Sequence, residues 1–201
     1  MTNNKKQVED ALIEVRKAYR LLYTYQRRVM DIMQFIGDQV SRSYHGGFSK
    51  FSNTAPREGR GSLDNWAWDW LNMYCYEFHF GDKFIEEDTI TFSVWLVSDT
   101  GCYDSAADAL NIENFSNPEI STTKLVFVIG KNILRAEFRE FYPDLKAITN
   151  DFIEQKDKSI MLAKSFNLSS FLNIDETKNC LNEFASFCHR NNILEFNILS
   201  S

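Results

Sequence analysis

The stretch WAWDWLNMYCYEFHFGD, residues 66–82, alternates aromatic side chains with other side chains at a period of two. Every even position from Trp66 to Phe80 is aromatic, with one asparagine as the exception. Successive side chains of a β-strand point to opposite faces, and Trp, Tyr and Phe favour strands. We therefore predict a strand over residues 72–80. Residues 64–71 fit either a continuation of that strand or a short helix.

The aromatic face of this strand must be buried in a core or used as a surface for a partner. A row of large rings is most often core, but an uncovered row forms an apolar patch of the kind that marks partner or ligand sites. Tyr and Trp suit such surfaces because they combine apolar area with a polar tip. The residues that we expect to contribute to a binding surface are Trp66, Trp70, Tyr74 and Tyr76.

The opposite face carries Glu77 and His79, which lie two residues apart and so share one side of the strand. Asp69 joins them if the extended conformation reaches that far. Carboxylates and an imidazole can hold a divalent cation and support metal-assisted hydrolysis, so these three residues are the candidate catalytic group. The spacing is not a metal-binding signature, however, and we expect a polar or solvent-facing side of a sheet.

The remainder of the chain alternates further strands with helices in an order that predicts an α+β fold. Two hairpins are expected, one between residues 72–80 and 88–99 across an acidic connection, and one between residues 123–130 and 133–142. The other predicted elements are a helix from Pro143 onward, a strand at 159–168, an amphipathic helix at 173–192 and an edge strand at 193–199. The predicted architecture is a long N-terminal helix packed on an antiparallel sheet of about five strands, with C-terminal helices.

Residues 4–44 predict one long helix with a continuous apolar seam. Seam positions recur at alternating spacings of four and three, a heptad pattern typical of paired helices. A single polar residue, Gln26, interrupts the seam, as often happens where helices fix their register. Two outcomes stay open: the seam packs on this chain's own sheet, or it forms a homodimer. The seam residues are Val8, Leu12, Val15, Tyr19, Leu22, Gln26, Val29, Met33, Ile36 and Val40.

A basic stripe on the same helix, formed by Arg16, Arg20 and Arg27, can contact nucleic-acid phosphates. Acidic residues share its sector, and Asp31 lies one turn from Arg27, so local pairing is available. Residues 61–201 carry 11 basic and 22 acidic side chains, a charge balance that opposes nucleic acid. We therefore interpret the stripe as a solvated charged face.

Length and composition set the remaining expectations. The 201 residues fit one compact domain that includes the helix, divided into a helix at 1–45, a loop at 46–63 and a sheet region at 64–201. The sequence shows no secretory signal and no membrane span, and its four cysteines lack clustered spacing. We expect a cytoplasmic protein with reduced thiols, no metal and no cofactor.

No compact catalytic motif stands out, so the sequence favours a non-catalytic protein- or ligand-binding module with a regulatory or adaptor role. Its expected partner is a protein or a second copy of the chain, bound through the helix at 4–44. Two alternatives remain: a nuclease-like metal-dependent hydrolase using Glu77, His79 and a nearby acid, and a nucleic-acid binder using the basic stripe.

Overall fold

The computed structural model describes residues 2–50, 75–104, 112–141, 145–148 and 150–199. The predicted α+β class is confirmed: a long N-terminal helix, an antiparallel sheet and a C-terminal helix are all present. The sheet has six strands in the described residues, one more than expected, in the order β1-β2-β3-β4-β6-β5. The strands are β1 (Gly46–Lys50), β2 (Cys75–Ile85), β3 (Asp88–Val97), β4 (Lys124–Lys131), β5 (Phe152–Lys156) and β6 (Ser159–Asn167).

Three α-helices and several short 3-10 helices complete the described part. The helices are α1 (Thr2–Gln39), α2 (Leu145–Ile148) and α3 (Ile174–Arg190). The 3-10 helices are Thr100–Asp104, Ile112–Asn114, Arg135–Glu140 and Leu168–Phe171. Within the described residues no helix combines the length and the apolar content that crossing a membrane requires.

The first predicted hairpin is confirmed, with a shorter connection than expected. β2 runs on to Ile85, and Asp88 pairs directly with it, so only two residues form the turn. Glu86 takes up the left-handed conformation there, with φ of 56°. The start of the predicted strand, residues 72–74, lies outside the described residues, as does the stretch 64–71.

The second predicted hairpin is wrong. Residues 135–140 form a 3-10 helix, and β4 pairs instead with β6. The alternation of Leu134, Ala136 and Phe138 suggested a strand, but the Glu137 carboxylate accepts a hydrogen bond from the Leu134 N–H at 2.7 Å and closes a helical turn. Local side-chain capping therefore overrides the alternating pattern.

Three further segments differ from expectation. The helix predicted from Pro143 is limited to α2 in the described residues, and residues 152–156 form the edge strand β5. Residues 193–199 do not form the predicted edge strand, and the Leu199 N–H instead donates to the Gln39 carbonyl at 2.8 Å. Residues 46–50, expected in a loop, form β1 along the other edge.

Both faces of the sheet are buried. One face carries the rings of Phe92 and Phe127, which contact Phe184 of α3 at centroid distances of 6.1 and 5.3 Å. α3 begins where the Asn173 side chain accepts the Glu176 N–H, as its polar first turn predicts. The second face carries a separate core under the 3-10 helix Arg135–Glu140, formed by Cys75, Trp95, Val97, Cys102, Val126, Val128, Ile133, Phe138, Met161 and Ala163.

The chain forms two compact units, Met1–Ile36 and Gly37–Ser201. α1 ends at Gln39, about five residues before the predicted end, because the Arg42 N–H bonds to the Gly37 carbonyl at 2.9 Å. Ser41 has φ of 51°, the left-handed conformation that commonly terminates helices.

Candidate functional site

A β-bulge in β2 brings a third polar residue onto the face that carries Glu77 and His79. His79 lies opposite Ser93 of β3, whereas Asp82 lies opposite Thr91, so the two residues between them face a single partner. Gly81 supplies the left-handed conformation that the bulge requires, with φ of 76°. The extra residue reverses the alternation beyond it, and the Asp82 side chain moves to the face of His79.

Polar side chains on this face form two hydrogen-bonded groups that meet at His79 and Asp82. The Ser93 hydroxyl donates to Glu77 Oε1 at 2.8 Å and lies 3.1 Å from His79 Nδ1. At the exposed end, the Thr91 hydroxyl donates to Asp82 Oδ1 at 2.7 Å, and His79 Nε2 lies 3.9 Å from the same oxygen. The two groups run from a fully buried carboxylate to a partly exposed one.

The buried carboxylate of Glu77 is neutralised by Arg135. The Arg135 guanidinium donates to Glu77 Oε2 at 3.3 Å, from the 3-10 helix that covers this face. The same guanidinium stacks on the Phe48 ring of β1, 3.6 Å from its centroid. Arg135 therefore joins three segments that are distant in the sequence, and planar stacking is a contact that Arg makes better than Lys.

The hydrogen-bond pattern defines the protonation state of His79. Because Ser93 donates its only hydrogen to Glu77, its oxygen must accept a hydrogen bond from His79, so Nδ1 carries the proton. Burial lowers the pKa of His79 below its ordinary value of 6.5, although Asp82 and Glu77 oppose that shift. Burial therefore favours the neutral form of the His79 ring over the charged form.

The side of the sheet that carries Glu77 and His79 is polar, as expected, but it does not face solvent. Glu77 is 0% exposed and His79 is 8% exposed, because the second core and the 3-10 helix Arg135–Glu140 cover this face. Gly130 of β4 allows the cover to approach closely: a Cβ there would lie 2.8 Å from Phe138 Cε1. Sequence alternation alone separates two faces, but it does not tell whether the second face is solvated.

The arrangement favours a structural role over catalysis. Ser93 is fully buried, and its hydroxyl hydrogen is committed to Glu77, so it is poorly placed to act as a nucleophile. Across the described ranges, no three or more His, Cys, Asp or Glu side chains converge in a way that could hold a metal ion. His79 Nε2 remains a proton acceptor near the exposed Asp82.

Buried thiols offer no second reactive centre. Burial raises the pKa of Cys180 to about 11 and also raises the pKa of Cys188. His189 lies beside Cys188 in the sequence, but its Nε2 hydrogen bonds to the Phe196 carbonyl at 3.0 Å. Thiol catalysis needs a thiolate, which both environments disfavour.

The other predicted site residues are only partly covered by the structure. Trp66, Asp69, Trp70 and Tyr74 lie outside the described residues. Tyr76 is half-buried on β2, and its ring lies 5.0 Å from that of Phe78. The basic-stripe residues Arg16, Arg20 and Arg27 are exposed on α1, as a charged face should be.

Sequence reasoning missed Ser93, Arg135 and the placement of Asp82. Ser93 was detectable as a polar residue in an apolar strand, whose alternation with Phe92 and Val94 puts it on the Glu77 side. The placement of Asp82 was indicated in the sequence by Gly81, since a glycine within a strand often marks a bulge. No sequence pattern indicated a role for Arg135, because its segment was predicted to be a strand.

Comparison with known proteins gives one match. Residues 5–193 match the model of a family described only as PM0109. No curated protein and no solved structure matches the chain.

Proposed function

The chain belongs to the PM0109 family, and since that description states no activity, we propose a function from the geometry of the chain itself. The protein is a non-catalytic binding module that works as a homodimer, paired through α1. The observation that carries this proposal is the exposure of the apolar seam in the first half of the helix. The exposed seam residues are Val8 (54%), Leu12 (48%), Val15 (47%), Tyr19 (52%) and Leu22 (47%).

This seam has the spacing of a helical interface rather than of scattered surface residues. Single exposed apolar side chains are common and need no explanation, but five in register form a continuous stripe. The alternation of four and three keeps such a stripe facing a second helix over its whole length. Further along, Val29, Met33 and Ile36 are buried, so the exposed part of the seam ends before Val29.

A second copy of the chain is the occupant that the charge pattern favours. Glu9 and Arg16 each follow a seam residue, so they occupy equivalent flanking positions with opposite charges. In an antiparallel pair these flanking positions meet each other, and Glu9 of one copy can approach Arg16 of the other. In a parallel pair they would instead face Ala11 and Ala18, where no ion pair forms.

The buried network supports the non-catalytic part of the proposal. Glu77, Ser93 and His79 satisfy one another's hydrogen bonds inside the fold, which is what a specifying core network does. A cytoplasmic setting also belongs to this proposal. It is supported by the four cysteines, all within the described residues, which are buried and form no disulfide.

Sedimentation of matched variants tests the pairing. Leu12→Glu with Leu22→Glu puts charges into the seam, whereas Leu21→Glu, 70% exposed beside the seam, adds a charge outside it. We expect a dimer for the wild type and for Leu21→Glu, and a 23.5 kDa monomer for the double variant. Positions from Val29 onward are avoided because substituting a buried residue would damage the fold itself. A monomeric wild type at tens of micromolar, or a dimeric double variant, refutes the proposal.

The two alternatives have weaker support and their own tests. A metal-dependent hydrolase requires binding of Mn²⁺ or Zn²⁺ that His79→Ala weakens. A nucleic-acid binder requires an affinity for DNA or RNA that falls steeply with salt and with loss of Arg16 and Arg20. Either result would replace the proposal given above.

A further inference from the structure

A cleft of about 380 Å³ lies within the unit Gly37–Ser201, and neither Glu77 nor His79 lines it. Its size falls in the range of small-molecule sites, roughly 300–1,000 Å³. Three segments line it: the residues after α1, the end of β2 and the segment after α3. Its polar side chains include Arg42, Lys83 and Glu195, and its apolar wall is formed by Val40, Ile85, Phe196, Ile198 and Leu199.

The Arg42 guanidinium is fixed in this cleft by the backbone. Its Nη1 donates to the carbonyls of Gly81 and Ile90 at 2.9 and 3.1 Å. Burial lowers the Arg42 pKa to about 10, while Asp82 opposes that shift. A guanidinium has five N–H donors, so this cation retains donors for a carboxylate.

Glu195 presents an acceptor that lacks a donor. Its Oε1 is bound by the Lys131 ammonium at 2.9 Å, and Lys131 also binds Asp88 at 2.8 Å. Its Oε2 is buried and has no hydrogen-bond partner within the part of the chain described here. A buried acceptor left without a donor is costly, so a ligand that supplies one gains affinity.

We propose that this cleft binds a small zwitterion, of the class of an α-amino acid with an apolar side chain. The ligand carboxylate lies between Arg42 and Lys83, and its ammonium group pairs with the partly exposed Glu195 carboxylate. The apolar side chain packs against Val40 and Ile85. A simple carboxylate would leave Glu195 without a donor, and a simple amine would leave the two cations without an acceptor. This site is independent of the pairing of α1.

Calorimetric titration with four probes tests the proposal on the full chain. The probes are L-leucine, 4-methylpentanoate, 3-methylbutylamine and inorganic phosphate, which separate the zwitterion from its two halves and from a plain anion. We expect L-leucine to bind at least about tenfold more tightly than each of the others, since charge-assisted hydrogen bonds at both ends contribute. Binding of phosphate or the carboxylate as tightly as L-leucine overturns the proposal.

Matched variants locate the binding. Lys83→Gln removes one cation from an exposed position, and Glu195→Gln replaces the acceptor at the other end. Each should weaken L-leucine binding roughly tenfold or more. Lys6→Gln, an exposed lysine of α1, should leave it unchanged. Arg42 is not substituted because it also supports two backbone carbonyls.

Thermal unfolding of each variant ensures that lost binding is not lost folding. Because Lys131 keeps Asp88 as a partner, we expect Glu195→Gln to remain folded. Absence of L-leucine binding at millimolar concentration to folded wild type overturns the proposal, as does binding that both cleft variants retain in full. Weakened binding in both, with Lys6→Gln unaffected, supports it.

Discussion

The apolar patterns of α1 and β2 lead to opposite outcomes. In β2 the rings of Phe78 and Phe80 are buried, at 2% and 3% exposure, within their own unit. In α1 the seam residues Leu12 and Val15 remain about half exposed. A period of two over a strand is satisfied by the sheet and the elements that cover it, whereas a heptad seam can be satisfied by a second helix. The strand pattern is therefore accounted for by folding of the chain itself, whereas the exposed seam is the surface through which we propose that two copies associate.

Among the variants of the sheet unit, substitution of Phe138 should lower the free energy of unfolding most. This ring is fully buried over Gly130, and Phe138→Ala should lower the free energy of unfolding by about 3–5 kcal/mol through lost burial and a cavity. Leu134→Ala, at a residue 44% exposed beside the same 3-10 helix, should cost less than about 1 kcal/mol. Denaturant unfolding measures both. Equal losses in the two variants would mean that the Phe138 ring is not an important part of the core on the second face of the sheet.

A smaller loss is expected at Glu77, the buried carboxylate of the network. Glu77→Gln keeps the shape but removes the charge that Ser93 and Arg135 bind, and should lower the free energy of unfolding by about 2 kcal/mol. Glu87→Gln, at an exposed turn position, serves as the control and should change stability by less than about 0.5 kcal/mol. Urea unfolding at pH 7 compares them, and indistinguishable midpoints would contradict the ion-pair assignment.

The β1 edge is sensitive at Gly47. A Cβ at this position would lie 2.0 Å from the Tyr76 hydroxyl oxygen, so Gly47→Ala must displace the ring. We expect a loss of about 1–2 kcal/mol, typical of overpacking. The Tyr44 hydroxyl oxygen and Tyr76 Cζ would also lie only 2.5 Å from that Cβ. Gly47→Ala should therefore cost less in a background that carries Tyr44→Phe and Tyr76→Phe, which lacks both hydroxyl oxygens, than in the wild type. An equal cost in the two backgrounds would show that the hydroxyl contacts are not the cause.

The smallest expected effect is the response to pH. The folded state lowers the His79 pKa from 6.5, chiefly by burial, so the unfolded chain binds the proton more readily. The contribution of His79 to the free energy of unfolding is therefore fully present above pH 6.5, and it declines as the pH falls below that value. The free energy of unfolding, followed from pH 7.5 to 5.5, should fall more steeply in wild type than in His79→Gln. Parallel curves for the two proteins would indicate that His79 does not cause the pH dependence of the free energy of unfolding.

Much of the fold was predictable from local pattern. β3 and α3 follow from alternation and from apolar residues at Leu181, Phe184 and Cys188, because each element buries one regular stripe. The 3-10 helix Arg135–Glu140 was not predictable, since its cause is the Glu137 carboxylate capping a turn and a ring that fits over Gly130. The contact with Gly130 depends on tertiary structure, and the local Glu137 cap competes with an alternation that favours a strand.

The candidate site was predicted only in outline. Glu77 and His79 share a face as expected, yet the alternation gave no information about what covers them. Asp82 reached their face through a bulge that a period-two analysis cannot register. The cleft at Arg42 was not foreseen, because it joins segments separated by more than a hundred residues.

The most direct test of the account is the identity of the atoms that contact the α1 seam in solution. In a mixture of isotopically labelled and unlabelled chains, isotope-filtered NMR detects contacts between copies alone. We predict contacts between copies from the methyl groups of Leu12 and Val15. The Val15 contacts should be lost on Leu22→Glu with Leu12→Glu and kept on Leu21→Glu. A wild-type spectrum at dimer-forming concentration with no such contacts from these methyl groups would contradict the claim that α1 pairs with a second copy.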